Sequence, residues 1–224
     1  MATLADLLAT ARIRLDDTVE PYHWSDEILT AHANDAVRQA VIRKRLILDR
    51  RTEETCSYPV AADTATVTLH SAVLAIRSAR WSDSTDPLAL TTLKRMDNMQ
   101  PDWPSRPAGI PTCLIVDANT GAVDLWPTPA AAGTLTLAVW RAPLDAETME
   151  GPEDEPVIDE LFQPDLVDWI EHLAFLSPEG EQGDLQRSDR AAQRFTAKFG
   201  NLPDAHAMKL WALGRGRGQT AQFL

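Results

Sequence analysis

Apolar residues in this chain recur at helical spacing near both ends and at alternate positions between them. This double change of period constrains the fold more than any other feature. Near the N-terminus, Leu4, Leu8, Ala11 and Leu15 share one helical face, which Leu7 widens. Thr3 is placed to cap the first amides, and Asp6 follows three residues later, as in a capping box. Asp16 and Asp17 suit a helix that is ending, and Pro21 discourages continuation. Ser25 is an N-cap candidate for a second helix, with Asp26 and Glu27 in its first turn. That helix is expected from about Asp26 to about Leu48, with a narrow stripe of Leu29, Ala33, Ala36, Val37, Ala40 and Val41. Its basic end, Arg43, Lys44 and Arg45, with Arg50 and Arg51 beyond, reads as cations at a helix C-terminus or as a contact for an acidic partner.

From Thr52 to about Leu144 the period is that of strands. "TATVTLH", "AVLAIRSARW", "TCLIVD", "GAVDLWP" and "GTLTLAVWRAP" are strand candidates, and Asn119-Thr120-Gly121 is a hairpin turn signal. "TTLKRMDNM" reads as a short helix and "QPDWPSRPAGIP" as irregular chain. Short strands with proline-rich breaks point to a compact antiparallel sheet. The acidic run Asp145 to Glu160 reads as a solvated connection. Helical spacing then returns after Pro164, with Leu166, Trp169, Ile170, Leu173 and Leu176 on one face. Leu185, Ala192, Phe195 and Phe199 mark a further helix that Gly200 ends. A short segment, "DAHAMKLWAL", leads into "GRGRG" and the terminal "QTAQFL".

Neither helix pair can bury its stripe alone. The expected class is therefore α+β: a helical bundle from N- and C-terminal helices, an inserted antiparallel β region, and a C-terminal arm. The expected division is a helical core at 1–50 and 157–213, a β region with the acidic loop at 51–156, and a flexible arm at 214–224.

The formal charge of −12 argues against a surface that grips nucleic acid, which needs clustered Lys and Arg. An acidic wall that lets DNA pass without holding it is compatible with that charge. Cys56 and Cys113 stand far apart, outside any metal-ligand spacing, and read as buried thiols in a reducing compartment. The N-terminus lacks the basic region of a signal peptide, and no apolar run approaches the ~20 residues of a membrane span.

Candidate chemistry is sparse. Glu20, His23 and Asp26 can be written as an acid–base group or a metal site, but the acids at a helix start already have a structural role. In the structural reading, Pro21, Tyr22, Trp24 and Ser25 form a helix-hairpin joint, with Trp24 stapled onto Leu29. Glu171-His172 lacks the second histidine of a zinc peptidase helix, and Asp168 one turn earlier makes only a lone acid–histidine pair. His32, His70 and His206 are isolated. Glu153, Asp154 and Glu155 lack the spacing of a calcium loop. No catalytic residue, cofactor or metal is expected. Arg215 and Arg217 among glycines, ending in Phe223 and Leu224, read as a flexible arm with an apolar anchor for a partner, or as a frayed terminus.

In order, these features resemble the head–tail connector, or adaptor, proteins of tailed bacteriophages, especially short-tailed ones. The residues that carry the likeness are "LLATARIRLDDTVEPYHWSDEILTAHANDAVRQAVIRKRLI", "PDWPSRPAGIPT", "GAVDLWPTPAAAGTLTLAVWRAPL" and "FTAKFGNLPDAHA". The family pattern is a helix ending in Leu-Asp-Asp, a proline–aromatic turn ending in Trp-Ser, and a helix with Asn-Asp-Ala, here Asn34-Asp35-Ala36. The resemblance implies a structural virion protein made in the host bacterial cytoplasm and placed at the head–tail junction. It implies a ring, usually twelvefold in such proteins, seated under the portal protein and receiving the tail nozzle or tube. Genomic DNA would pass through the channel without sequence-specific binding, and no membrane is involved. Arg215, Arg217, Phe223 and Leu224 would then contact the portal. The alternative is a small intracellular hydrolase that uses scattered carboxylates and histidines; a third reading is an assembly module outside any virion.

Overall fold

The computed structural model describes residues 2–176 and 182–204. It is a mixed α+β protein with two compact units. The first unit comprises Met1–Ile47 and Ala142–Leu202, and a second is formed by Leu48–Arg141.

The first unit holds α1 (Leu4–Leu15), α2 (Asp26–Lys44), α5 (Val167–Phe175) and α6 (Gln182–Phe199). Thr3 and Asp6 form the reciprocal capping box at the start of α1. Its first amides are also met from outside, since Leu4 N donates to Asp154 O (2.7 Å) and Ala5 N to Pro152 O (3.0 Å). Four amides are orphaned at any helix start, and here a loop carbonyl pair takes two of them. Asp16 ends α1 in the left-handed conformation, with φ 58°.

The alanine stripe of α2 is wholly buried, and α5 packs against it. Small side chains permit that close approach, while α5 also meets α1 and α6. One apolar core joins Leu7, Leu29, Val41, Leu166, Ile170 and Phe195. The buried face of α6 is Ser188, Ala191, Phe195 and Phe199, whereas Leu185 is exposed. The basic end of α2 serves the end of α6: Lys44 Nζ donates to Lys198 O (3.0 Å), and Arg43 donates to Gly200 O (3.3 Å). These cations therefore meet the negative end of a neighbouring helix as well as their own.

Three further expectations differ in this unit. The second helix stops at Lys44 rather than near Leu48, because Arg45 turns left-handed (φ 52°) and Ile47–Asp49 extend as a strand. The acidic stretch from Asp145 is not a loose connection. Its carboxylates at Glu153, Asp154 and Glu155 are exposed, but Met149 is buried and exchanges two hydrogen bonds of 2.9 Å with the Asn34 side chain. Gln163, also buried, accepts from Ala2 N and donates to Pro156 O and Ile158 O. On α5, Leu176 is exposed, while Val167, Ala174 and Phe175 share the interior with Leu166 and Ile170.

In the second unit, β1 (Ile47–Asp49), β2 (Ser57–Val60), β3 (Thr66–Thr68), β4 (Val73–Trp81), β5 (Pro87–Thr91), β6 (Cys113–Asn119), β7 (Ala122–Trp126) and β8 (Gly133–Arg141) form one curled sheet. The order is β1-β8-β4-β5-β6-β7-β3, with β2 also on β8. Two short helices, α3 (Glu53–Cys56) and α4 (Leu93–Met99), lie in the connections. The sheet departs from the antiparallel expectation at β5 and β6, which run parallel through Ala89–Thr91 and Cys113–Ile115. The long excursion through α4 and the proline-rich stretch supplies the crossover that a parallel pair requires. Ile76, Trp81, Leu114, Leu125, Leu135 and Val139 share the interior. Trp81 lies over Gly133, where a Cβ would come within 2.3 Å of the indole, so only glycine fits at the start of β8.

Asp49 and Arg141, close to the first and last residues of this unit, are both buried and joined at 2.6 Å. Asp49 also accepts from Arg51 N and Thr52 N. Burial alone would raise its pKa, but these donors outweigh burial and hold the carboxyl well below the usual carboxylate range. A depressed folded pKa gives stability that is full above the unfolded value near 3.8 and lost as pH falls further. Acid titration of the melting temperature should therefore show a loss below about pH 4 that shrinks in Asp49→Asn; an identical acid limb in both proteins would contradict this role.

Candidate interaction site

The residues expected to join α1 to α2 are gathered around one guanidinium. Arg12 sits on the inner side of α1, next to Leu8 and Leu15 in helical spacing, and is buried. Its Nη1 donates to Asp17 Oδ2 (2.7 Å), and its Nη2 to Trp24 O (3.0 Å) and Asp26 Oδ1 (2.5 Å). The group also lies 3.7 Å from the Tyr22 ring centroid. A planar fork reaches two carboxylates and a carbonyl while stacking on an aromatic face, which an ammonium cannot do.

Asp17 completes the joint. It is buried, and its oxygens accept from His23 N (2.7 Å) and Trp24 N (3.2 Å). The chain is thus folded back onto the end of α1 by a carboxylate that faces inward. Glu20 and Pro21 are joined by a cis peptide bond. Trp24 precedes the N-cap and meets Phe175 edge-on at 5.9 Å, within the core that also includes Leu29. Ser25 Oγ accepts from Ile28 N (3.3 Å), capping α2. Among the candidate acid–base residues, Asp26 serves Arg12, His23 stacks edge-on against Trp24, and Glu20 is exposed.

A second charged group lies on α5 and α6. Arg14 Nη1 reaches Asp168 Oδ1 (2.5 Å), and Arg194 reaches both Asp168 (2.8 Å) and Glu171 (2.6 Å). Asp168 and Glu171 are buried, and the arginines cover them from the half-exposed side. His172, read from sequence beside Asp168, instead contacts Ser188 through Nδ1 (2.8 Å to Oγ). Both acids are thus spent on arginines rather than on activating a histidine. Among the described residues no three of His, Cys, Asp and Glu are placed to hold a metal ion. Cys56 is buried, which pushes its thiol pKa up, and Cys113 is half-buried and free. No helix of the described residues is long and apolar enough to cross a membrane.

The sequence points to Ser25, Trp24, Tyr22 and Pro21, but it assigns no role to Arg12 and marks Asp17 only as a helix-ending residue. A cation inside an apolar stripe, five residues ahead of an acid, was the available signal. Arg215, Arg217, Phe223 and Leu224 lie outside the described residues. The exposed apolar side chains nearest the joint in sequence are Ile13, Val19 and Ile28; Val19 is 77% exposed.

Residues 2–219 match the sequence model of the SU10 adaptor protein family, and the chain belongs to that family. The resemblance to phage head–tail adaptors therefore holds, and the chain is a structural adaptor of a phage particle. No curated protein matches the chain.

Removing the Asp17 carboxylate takes the Nη1 partner from the buried Arg12 guanidinium and the acceptor from two amides. Asp17→Ala should cost about 3 kcal/mol in urea unfolding, and Asp17→Asn, which keeps an acceptor, about half as much. Trp24→Ala, which empties the place beside Phe175, should cost a comparable ~3 kcal/mol. An unchanged unfolding midpoint in either alanine variant would remove that residue from the joint's support.

Proposed function

We propose that the protein is a head–tail connector that assembles as a ring, on the twelvefold pattern of such proteins, between the portal protein and the tail nozzle or tube. The observation that carries this reading is the match of the SU10 adaptor family over residues 2–219. The joint supports it in physical terms. Its interior is satisfied by Arg12 and Asp17, so it is stiff, while Ile13, Val19, Tyr22 and Ile28 leave apolar surface outside. Stiff elements with exposed apolar side chains suit contact between copies of one chain.

The net charge of −12 suits a protein that encloses DNA without holding it. Repulsion extends over about a Debye length, ~8–10 Å, so an acidic wall keeps phosphates from settling. In this proposal Arg215, Arg217, Phe223 and Leu224 contact the portal, and the helical core, the β region and the arm keep the separate roles read from the sequence.

Native mass measurement of the protein alone and with purified portal tests the reading. Rings on the portal are the expected result, and Val19→Asp should weaken assembly while leaving the circular dichroism spectrum unchanged. A small closed oligomer that ignores the portal would overturn the connector reading. A variant truncated after 213 should fold but lose portal attachment; normal attachment would remove the arm from the contact.

A further inference from the structure

In the second unit the sheet is open along part of its length. β4 pairs with β5 only through Ala79 and Arg80. β5 then turns to β6 and pairs with it only through Cys113–Ile115. On the side toward β5, the six residues Val73–Ser78 of β4 and the four residues Val116–Asn119 of β6 have no strand partner among the described residues. Val73–Ile76 of the first edge and all four residues of the second border one cleft of about 670 Å³. Leu69, Val73, Leu74, Ile76, Val116 and Val123 line it, and Leu69 N donates to Gly121 O (2.9 Å) where β3 ends beside the β6–β7 turn.

Three properties of this cleft point to the same occupant. Unpaired strand edges present rows of N–H and C=O groups that a further strand satisfies. Walls of branched apolar side chains accept side chains from alternate positions of an extended segment. Among the described residues the one charged group in the lining is Asp117, whose Oδ1 accepts from Leu93 N (2.7 Å). On a chain of −12, a negative group beside the cleft disfavours acidic occupants and favours a cation.

We propose that this cleft is a strand-addition site for another protein. The occupant is an extended segment of four to six residues, matched to the two open edges, apolar at alternate positions, free of acids, and carrying a lysine or arginine beside Asp117. This goes beyond the connector reading and does not depend on ring formation. The chain's own terminal Gln219–Leu224 has alternating apolar residues, but its nearest cation, Arg217, falls outside those six residues.

The test uses the full chain and amide hydrogen exchange. The probes are the acetylated hexapeptide Lys-Val-Thr-Val-Thr-Val, its Glu-Val-Thr-Val-Thr-Val counterpart, a form of the first N-methylated at alternate amides, and Gln-Thr-Ala-Gln-Phe-Leu. The lysine peptide should slow exchange among the amides of Val73–Ser78 and Val116–Asn119. The glutamate peptide should bind about fivefold more weakly, and the N-methylated peptide should give no protection. Asp117→Asn keeps an acceptor for the Leu93 amide and should reduce the preference for lysine over glutamate without changing the melting temperature. Absence of protection by the lysine peptide overturns the site. Equal protection by the N-methylated form overturns strand pairing. Tighter binding of Gln-Thr-Ala-Gln-Phe-Leu assigns the cleft to this chain's own terminus and overturns the external partner.

Discussion

A guanidinium withdrawn from water must be surrounded by acceptors, and in the helical unit Arg12 imposes that demand. Asp17, the Trp24 carbonyl and Asp26 meet it together. Each acceptor comes from a different part of the joint: the residue after the α1 cap, the residue before the α2 cap, and the first turn of α2. One side chain therefore fixes the path from the end of α1 to the start of α2. Once the path is fixed, the stripes of α1 and α2 are held to face α5. A hydrophobic joint of the same volume would bury the same area but would not specify the backbone path so closely, because apolar contacts lack direction.

The same device appears elsewhere in the chain at other scales. In the second unit, Asp49 and Arg141 join the two chain ends of a unit that runs from Leu48 to Arg141. An ion pair there sets β1 against β8 and closes about ninety residues of chain into one body. On α5, Asp168 and Glu171 carry two negative charges on successive turns, which Arg14 of α1 and Arg194 of α6 neutralise. That arrangement cross-links three helices at their half-exposed seam. Exposed pairs of this kind contribute little to stability, yet here the acids are buried, so loss of an arginine leaves a charge poorly solvated.

Local signals were legible in the sequence where one residue acts on its own neighbours. Thr3 with Asp6, Ser25, and the stripe from Leu29 to Val41 all depend on spacing within one helix. What escaped was set by partners distant in sequence. Nothing near Asn34 announces its two bonds to Met149, and nothing near Pro152 announces that its carbonyl caps α1. The parallel pairing of β5 with β6 was hidden for a similar reason, since strand period does not report direction. Leu185 is exposed because apolarity alone does not fix burial; on α6 the interior position one turn on is a serine, Ser188, bonded to His172. In the joint, four aromatic and turn residues were visible, while the buried pair that organises them looked like ordinary surface charge.

The distribution of polar groups protects the chain's connections from local melting. Segments that connect elements are usually the first to open, because their backbone bonds are few and solvent-exposed. Here the two connections that flank α1 are bonded from within. Asp17 accepts two amides of the joint, and Asp154 accepts the amides of Glu150 and Gly151 while its own carbonyl takes Leu4 N. The hydrogen bonds to Asp154 also hold its carboxyl below the usual range, so the loop keeps its charge and its shape together. Acidic residues thus have two uses in this chain: inward carboxylates fix the backbone, and outward ones leave a negative surface. A sequence rich in acids can therefore be read as rigid as well as repulsive.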